Sequence, residues 1–83
     1  MEIGPLVESI LAAVALLENS PDSEVDPDVA VQGLESMAHA LSALSEDEAR
    51  EFVAAVERVA DRQTQLGTRE FYLSVPQLLG MVT

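Results

Sequence analysis

Carboxylates dominate the residues of this chain that could do chemistry. They are densest in the segment NSPDSEVDPD, where Asp22, Glu24, Asp26 and Asp28 fall at every second position with no Lys or Arg near them. Alternating acids of this kind open calcium loops. Counted from Asp22, an EF-hand loop would place Glu24 and Asp26 at ligand positions three and five. It then requires glycine at position six, where Pro27 stands, and a bidentate Glu at position twelve, where Gly33 stands. The two most demanding positions fail, and no metal site is assigned.

Glu35, His39 and Ser42 contain the residue types of a hydrolytic triad, and His39 is the only histidine. On one helix, however, these side chains project outward in parallel. They cannot converge on a substrate carbonyl as orienter, base and nucleophile must, so they read as a solvated polar face. Glu46, Asp47 and Glu48 would need a pocket for acid–base work and are better explained as residues that start a helix. The Asp22-Ser23 pair approaches the Asp-Ser-Leu sequence on which acyl carriers attach phosphopantetheine, but Glu24 occupies the apolar place. There is no glycine-rich phosphate loop, metal-ligand cluster or nucleophile elbow. The expectation is a protein that is not an enzyme, with no catalytic residue, cofactor or metal.

Charge distribution carries more information than any of these motifs. The net charge is −11, and residues 1–49 hold eleven acids and no Lys or Arg, whereas residues 50–83 hold four acids and four arginines. A field of this sign repels nucleic-acid phosphates and anionic lipid surfaces, and favours a basic protein partner. The absence of cysteine excludes disulfides and thiolate metal sites, and fits a cytoplasmic location. The uninterrupted apolar run from Ile10 to Leu17 is far shorter than the roughly 20 residues needed to cross a bilayer. It is read as a core helix, and no membrane association is expected.

The pattern predicts an all-α protein in one domain, residues 1–83, built as a compact bundle of three main helices plus a short C-terminal helix. At this length only about 60–65% of the unfolded chain's surface can be buried. The first helix is expected from Gly4-Pro5 to Leu17 or Glu18, with Leu6, Ile10, Val14 and Leu17 on one face and Val7 and Leu11 beside them. It is more apolar around its circumference than a surface helix should be, so either the last helix or a partner must cover it. Pro21 stops it. Asp26 then caps a second helix from Pro27 to about Leu44, with Ala30, Leu34, Met37, Ala38, Leu41 and Leu44 inside and Asp28, Gln32, Glu35, His39 and Ser42 outside. Gly33, inside this helix, implies a neighbouring backbone passing close.

Ser45 and Glu48 have capping-box spacing and start a third helix, with Ala49, Phe52, Val53, Val56, Val59 and Ala60 inside; it is expected to end near Leu66-Gly67 on a glycine cap. The short join before it makes the second and third helices an antiparallel hairpin or a sharply angled pair. The tail places a short fourth helix after Ser74-Val75-Pro76; the stretch from Phe71 to Met81 is a candidate apolar anchor for a partner, with core packing the expected job of Phe71 and Leu78.

The stretch VDPDVAVQGLESMAHALSALSEDEAREFVAAVERVA, a Pro-capped helix, a tight Leu-Ser turn and a second acid-capped helix, resembles the small acidic all-helical immunity proteins encoded beside bacterial polymorphic toxins. That resemblance implies stoichiometric inhibition, with an acidic side covering the basic, anion-binding active site of a cognate toxin such as a nuclease, deaminase or nucleotide-consuming enzyme. The expected partner-binding residues are Asp22, Glu24, Asp26, Asp28 and Glu35, with His39 at the edge. The alternatives are an acidic regulatory or adaptor subunit that homodimerises through its first helix, and a phosphate mimic that occupies the groove of a DNA-binding protein.

Overall fold

The computed structural model describes residues 1–82, which form four helices and no strand. Helix α1 spans Gly4–Asn19, α2 Pro27–Leu41, α3 Glu46–Asp61 and α4 Leu66–Leu78. The starts of α2 and α3 follow from local chemistry. The Asp26 carboxylate accepts a hydrogen bond from the Asp28 N–H at 2.8 Å, with Pro27 in the first turn where its missing N–H has no consequence. At α3 the Ser45 hydroxyl accepts from the Glu48 N–H at 3.1 Å, while the Glu48 carboxylate accepts from the Ser45 N–H at 2.9 Å. Two otherwise orphaned donors are thus satisfied reciprocally.

Two expected boundaries are corrected. Helix α3 stops at Asp61 rather than near Leu66-Gly67. The turn behind it is tied down by the Gln63 side-chain amide donating to the Val59 carbonyl at 3.0 Å and by Arg69 Nη2 donating to the Gln63 carbonyl at 3.2 Å. Gly67 therefore lies in the first turn of α4, and the fourth helix is 13 residues long instead of beginning at Ser74. Pro76 sits inside its last turn. A proline there removes one helical hydrogen bond, but Pro76 and its neighbour Val75 are buried, and that packing offsets the loss. The glycine cap belongs to α4: Gly80 has φ +74°, its N–H donates to the Gln77 carbonyl at 3.0 Å, and the Met81 N–H donates to the Pro76 carbonyl at 2.8 Å. This is the Schellman arrangement, which needs a left-handed residue after the helix.

The main buried cluster draws Val7, Leu11 and Val14 from α1, Phe52, Ala55, Val56 and Val59 from α3, and Val75 and Leu79 from the end of α4. Helix α1 is rotated from the expected face: Val7, Leu11 and Val14 point to the centre, and Leu6 is 51% exposed. Helix α4 packs on both α1 and α3, so part of the apolar surface of α1 is covered from within. Leu16 is still 62% exposed.

Helix α2 is peripheral. Only its Ala30 is fully buried, while Leu34, Met37, Ala38 and Leu41 pack half-buried against the core, as does Leu44 just beyond. It lies along α1 rather than beside α3, so the short join produces the angled pair and not the hairpin. The approach to Gly33 is made by the Leu17 side chain and not by backbone. Leu17 near Gly33, and Ile3 and Ile10 near Leu41 and Leu44, show that α1 and α2 run antiparallel. None of the four helices is long and apolar enough to cross a membrane.

Candidate partner-binding surface

The acidic segment is built by a proline and a turn. Ser20 is extended ahead of Pro21, and the Pro21 carbonyl then accepts from the N–H groups of both Glu24 and Val25, at 2.9 and 3.0 Å. The chain reverses over those residues, and Asp22, Ser23 and Glu24 all stand in solvent. Asp26 is also exposed, but one of its carboxylate oxygens is committed to the cap of α2.

Along α2, Asp28, Glu35 and His39 recur at seven- and four-residue steps, which places them on one side of the helix. At 1.5 Å rise per residue, the row from Asp28 to His39 is about 16 Å long. All three are exposed, and Glu35 and His39 share a shallow depression with Gln32 and Ser36. All six expected partner-binding residues are therefore at the surface, on the acidic turn and the outer side of one helix.

Among the described residues none of the six takes part in an ion pair. The ion pairs among the described residues are Arg50 with Asp47 and, at 3.9 Å, Arg62 with Glu8. Arg58 and Arg62 line a separate cleft of about 610 Å³ with Glu2 and Glu8, between the start of α1 and the end of α3. Two of the four arginines thus share that cleft, and none of the four forms an ion pair with the acidic row, which leaves the row without a direct counter-charge.

Sequence reasoning missed the apolar component beside these acids. Val29 and Val31 are 57% and 51% exposed on the first turns of α2. Their signal was a pair of β-branched residues bracketing the start of the inner stripe, one on each side of Ala30. The C-terminal tail is divided: Val75, Pro76 and Leu79 are buried and Phe71 is half-buried against the core, whereas Leu73 is 46% exposed. Leu78, expected inside, is 45% exposed, because α4 turns Leu79 inward in its place.

The triad residue types do not assemble. The Ser42 hydroxyl donates to the His39 backbone carbonyl at 2.6 Å, so its proton is directed at the end of α2 and not at the imidazole. No group of three or more Asp, Glu or His side chains among the described residues is arranged to hold a metal ion. At α3, the hydrogen bond from the Ser45 backbone N–H, reinforced by the Ser45 side chain, holds the Glu48 carboxyl below the usual glutamate range. Glu48 is therefore a fixed negative charge at neutral pH. Comparison with protein-family models, curated proteins and solved structures finds no match to this chain.

Proposed function

We propose that this chain is a cytoplasmic binding protein of the immunity or antitoxin type, which neutralises a basic toxin by stoichiometric occlusion of its anion-binding active site. The observation that carries this reading is the uncompensated acidic row. Asp22, Glu24, Asp26, Asp28 and Glu35 are exposed without an ion-pair partner, with His39 at the end of the row and Val29 and Val31 at its start. Charge of this density accelerates encounter with a basic surface, and apolar side chains beside it lengthen residence once water is expelled. The partner class is a nuclease, a deaminase or another enzyme that binds anionic nucleotides. A partner that is instead a DNA-binding protein would make the same surface a phosphate mimic.

The test is capture of the partner from the native host with the tagged chain, followed by association kinetics at several salt concentrations. Combined Asp22→Asn, Glu24→Gln and Asp28→Asn substitutions are expected to slow association at least tenfold at low salt and to flatten its salt dependence, with the fold retained. Unchanged on-rates reject the reading. So does a captured partner that is no more basic than an average protein.

A second reading has its own observation. Leu6, Ser9, Ala12, Ala13 and Leu16 are all exposed on α1, and the one charged residue that borders them is Glu8, one turn before Ala12. A regulatory subunit that homodimerises through α1 would bury this side. Light scattering across a concentration series separates the two, because a free inhibitor of the first kind remains monomeric.

A further inference from the structure

Opposite the acidic turn, at the other end of the α1–α2 pair, a groove of about 230 Å³ lies between the start of α1, the end of α2 and the start of α3. Its walls are Ile3, Leu6, Ile10, Leu41 and Leu44, with Phe52 at the base. Ile3, Ile10, Leu41 and Leu44 pack against the core on one side and remain partly open on the other, and Leu6 is 51% exposed. Apolar area of this kind is left wet in the free protein and gains by being covered.

The rim has one sign of charge. Glu48 and Glu51, one turn apart on α3, line the groove, and no Lys, Arg or His does so. The capping box fixes the Glu48 carboxylate in place, so this part of the rim is preorganised. We propose that the groove docks an amphipathic segment of a partner protein, presenting a Leu, Ile or Phe anchor to the apolar floor and Lys or Arg to Glu48 and Glu51. Charge complementarity selects this occupant. A second copy of the chain brings a net charge of −11 to a rim that is itself anionic, and an anionic lipid surface is repelled in the same way. The proposal goes beyond the acidic row on α2 and does not depend on it, because the groove shares no residue with that row and is lined by the α2 residues that face α1 and α3.

The experiment is a methyl NMR titration of the full chain with two synthetic helical peptides that have the same leucine positions, one otherwise lysine-rich and the other glutamate-rich. The lysine–leucine peptide is expected to shift the methyl signals of Ile3, Leu6, Ile10, Leu41 and Leu44 saturably, and the glutamate–leucine peptide to bind at least tenfold more weakly. Leu6→Ser and Glu51→Lys, both at exposed positions, should each weaken the lysine–leucine peptide at least fivefold. Combined Asp22→Asn, Glu24→Gln and Asp28→Asn substitutions should change it less than threefold. If Leu6→Ser lowers the melting temperature, Glu51→Lys alone decides. Three results overturn the proposal: equal binding of both peptides, shifts confined to Val29 and Val31, or groove shifts that appear on raising the protein concentration without peptide. The second of these removes the groove and leaves the acidic row standing; the third makes a second copy the occupant.

Discussion

Leu17 of α1 lies with its Cδ1 3.0 Å from the point a β-carbon on Gly33 of α2 would occupy, so the glycine is the seat for a leucine side chain where the two helices meet. Glycine inside a helix costs about 1 kcal/mol relative to alanine, and the contact with Leu17 explains why it is present. Gly33→Ala alone is therefore expected to change stability by less than about 0.5 kcal/mol, since the gain in propensity is offset by displacement of the leucine. In a Leu17→Ala background the same substitution should stabilise by about 1 kcal/mol. A double-mutant cycle from urea unfolding reads the difference as a coupling energy. Coupling near zero would mean that Leu17 swings aside freely and that Gly33 has no packing role.

The capping box of α3 makes a pH-dependent prediction. Ser45→Ala should cost about 1 kcal/mol at neutral pH, the usual worth of an N-cap side chain. Glu48 is held below the ordinary glutamate value of 4.5 by its hydrogen bonds from Ser45. A carboxyl whose value is depressed on folding stabilises the protein above the unfolded-state value, and the contribution fades as pH falls toward the lower folded value. The destabilisation caused by Glu48→Gln should therefore be full at pH 7 and shrink progressively below about pH 4.5. Thermal melts from pH 7 to pH 2.5 check this, and a difference that stays constant with pH would refute the charge-assisted bond.

Both caps were legible in the sequence because their chemistry is local: Asp26-Pro27 and Ser45 to Glu48 specify helix starts within four residues. The outer row of α2 was legible for the same reason, since charged residues at Asp28, Glu35 and His39 define its wet side. The register of α1 was not. Between Glu8 and Glu18 this helix has no charged residue to mark a wet face, so stripes centred on Leu6 or on Val7 read almost equally well. Only packing against α3 and α4 decides between them. Helix α4 was misread because Ser74-Val75-Pro76 has the residue types of a helix start, whereas the true start at Gln65 has no side-chain cap. The groove beside Phe52 joins residues from three helices, and no local pattern encodes it.

Two glycines should respond in opposite directions. Gly80 ends α4 in the left-handed region at φ +74°, which costs an ordinary L-residue roughly 1–2 kcal/mol. Gly80→Ala should destabilise by about 1 kcal/mol. Gly67 lies in the first turn of α4 with nothing within 4 Å of an added β-carbon. Gly67→Ala should therefore stabilise, by up to about 1 kcal/mol, through helix propensity and a less entropic unfolded chain. Chemical denaturation of the two single variants suffices, and equal signs would contradict the helix boundary drawn at Leu66.

The four alternating acids divide into two that support the fold and two that burden it. Asp26 caps α2, and Asp28 lies in its first turn, where the macrodipole favours negative charge by about 0.3–1 kcal/mol. Asp22 and Glu24 stand exposed in the turn, hold no ion pair, and have only acids, Asp26 and Asp28, as their charged neighbours in sequence. Combined Asp22→Asn and Glu24→Gln substitutions are therefore expected to raise stability at low salt, by roughly 0.2–0.5 kcal/mol by analogy with neighbouring like charges on helices. Asp26→Ala should lower it by about 1 kcal/mol. Salt screens the repulsion, with a Debye length of about 10 Å at 0.1 M. The melting temperature of the unsubstituted protein should then rise with sodium chloride, and the rise should be smaller in the Asp22, Glu24 variant. Exposed acids that lower stability in the free protein are those expected to find their counter-charge on a partner. A loss of stability in the Asp22, Glu24 variant at low salt would instead give these two acids a structural role and remove the reason to assign them to a partner.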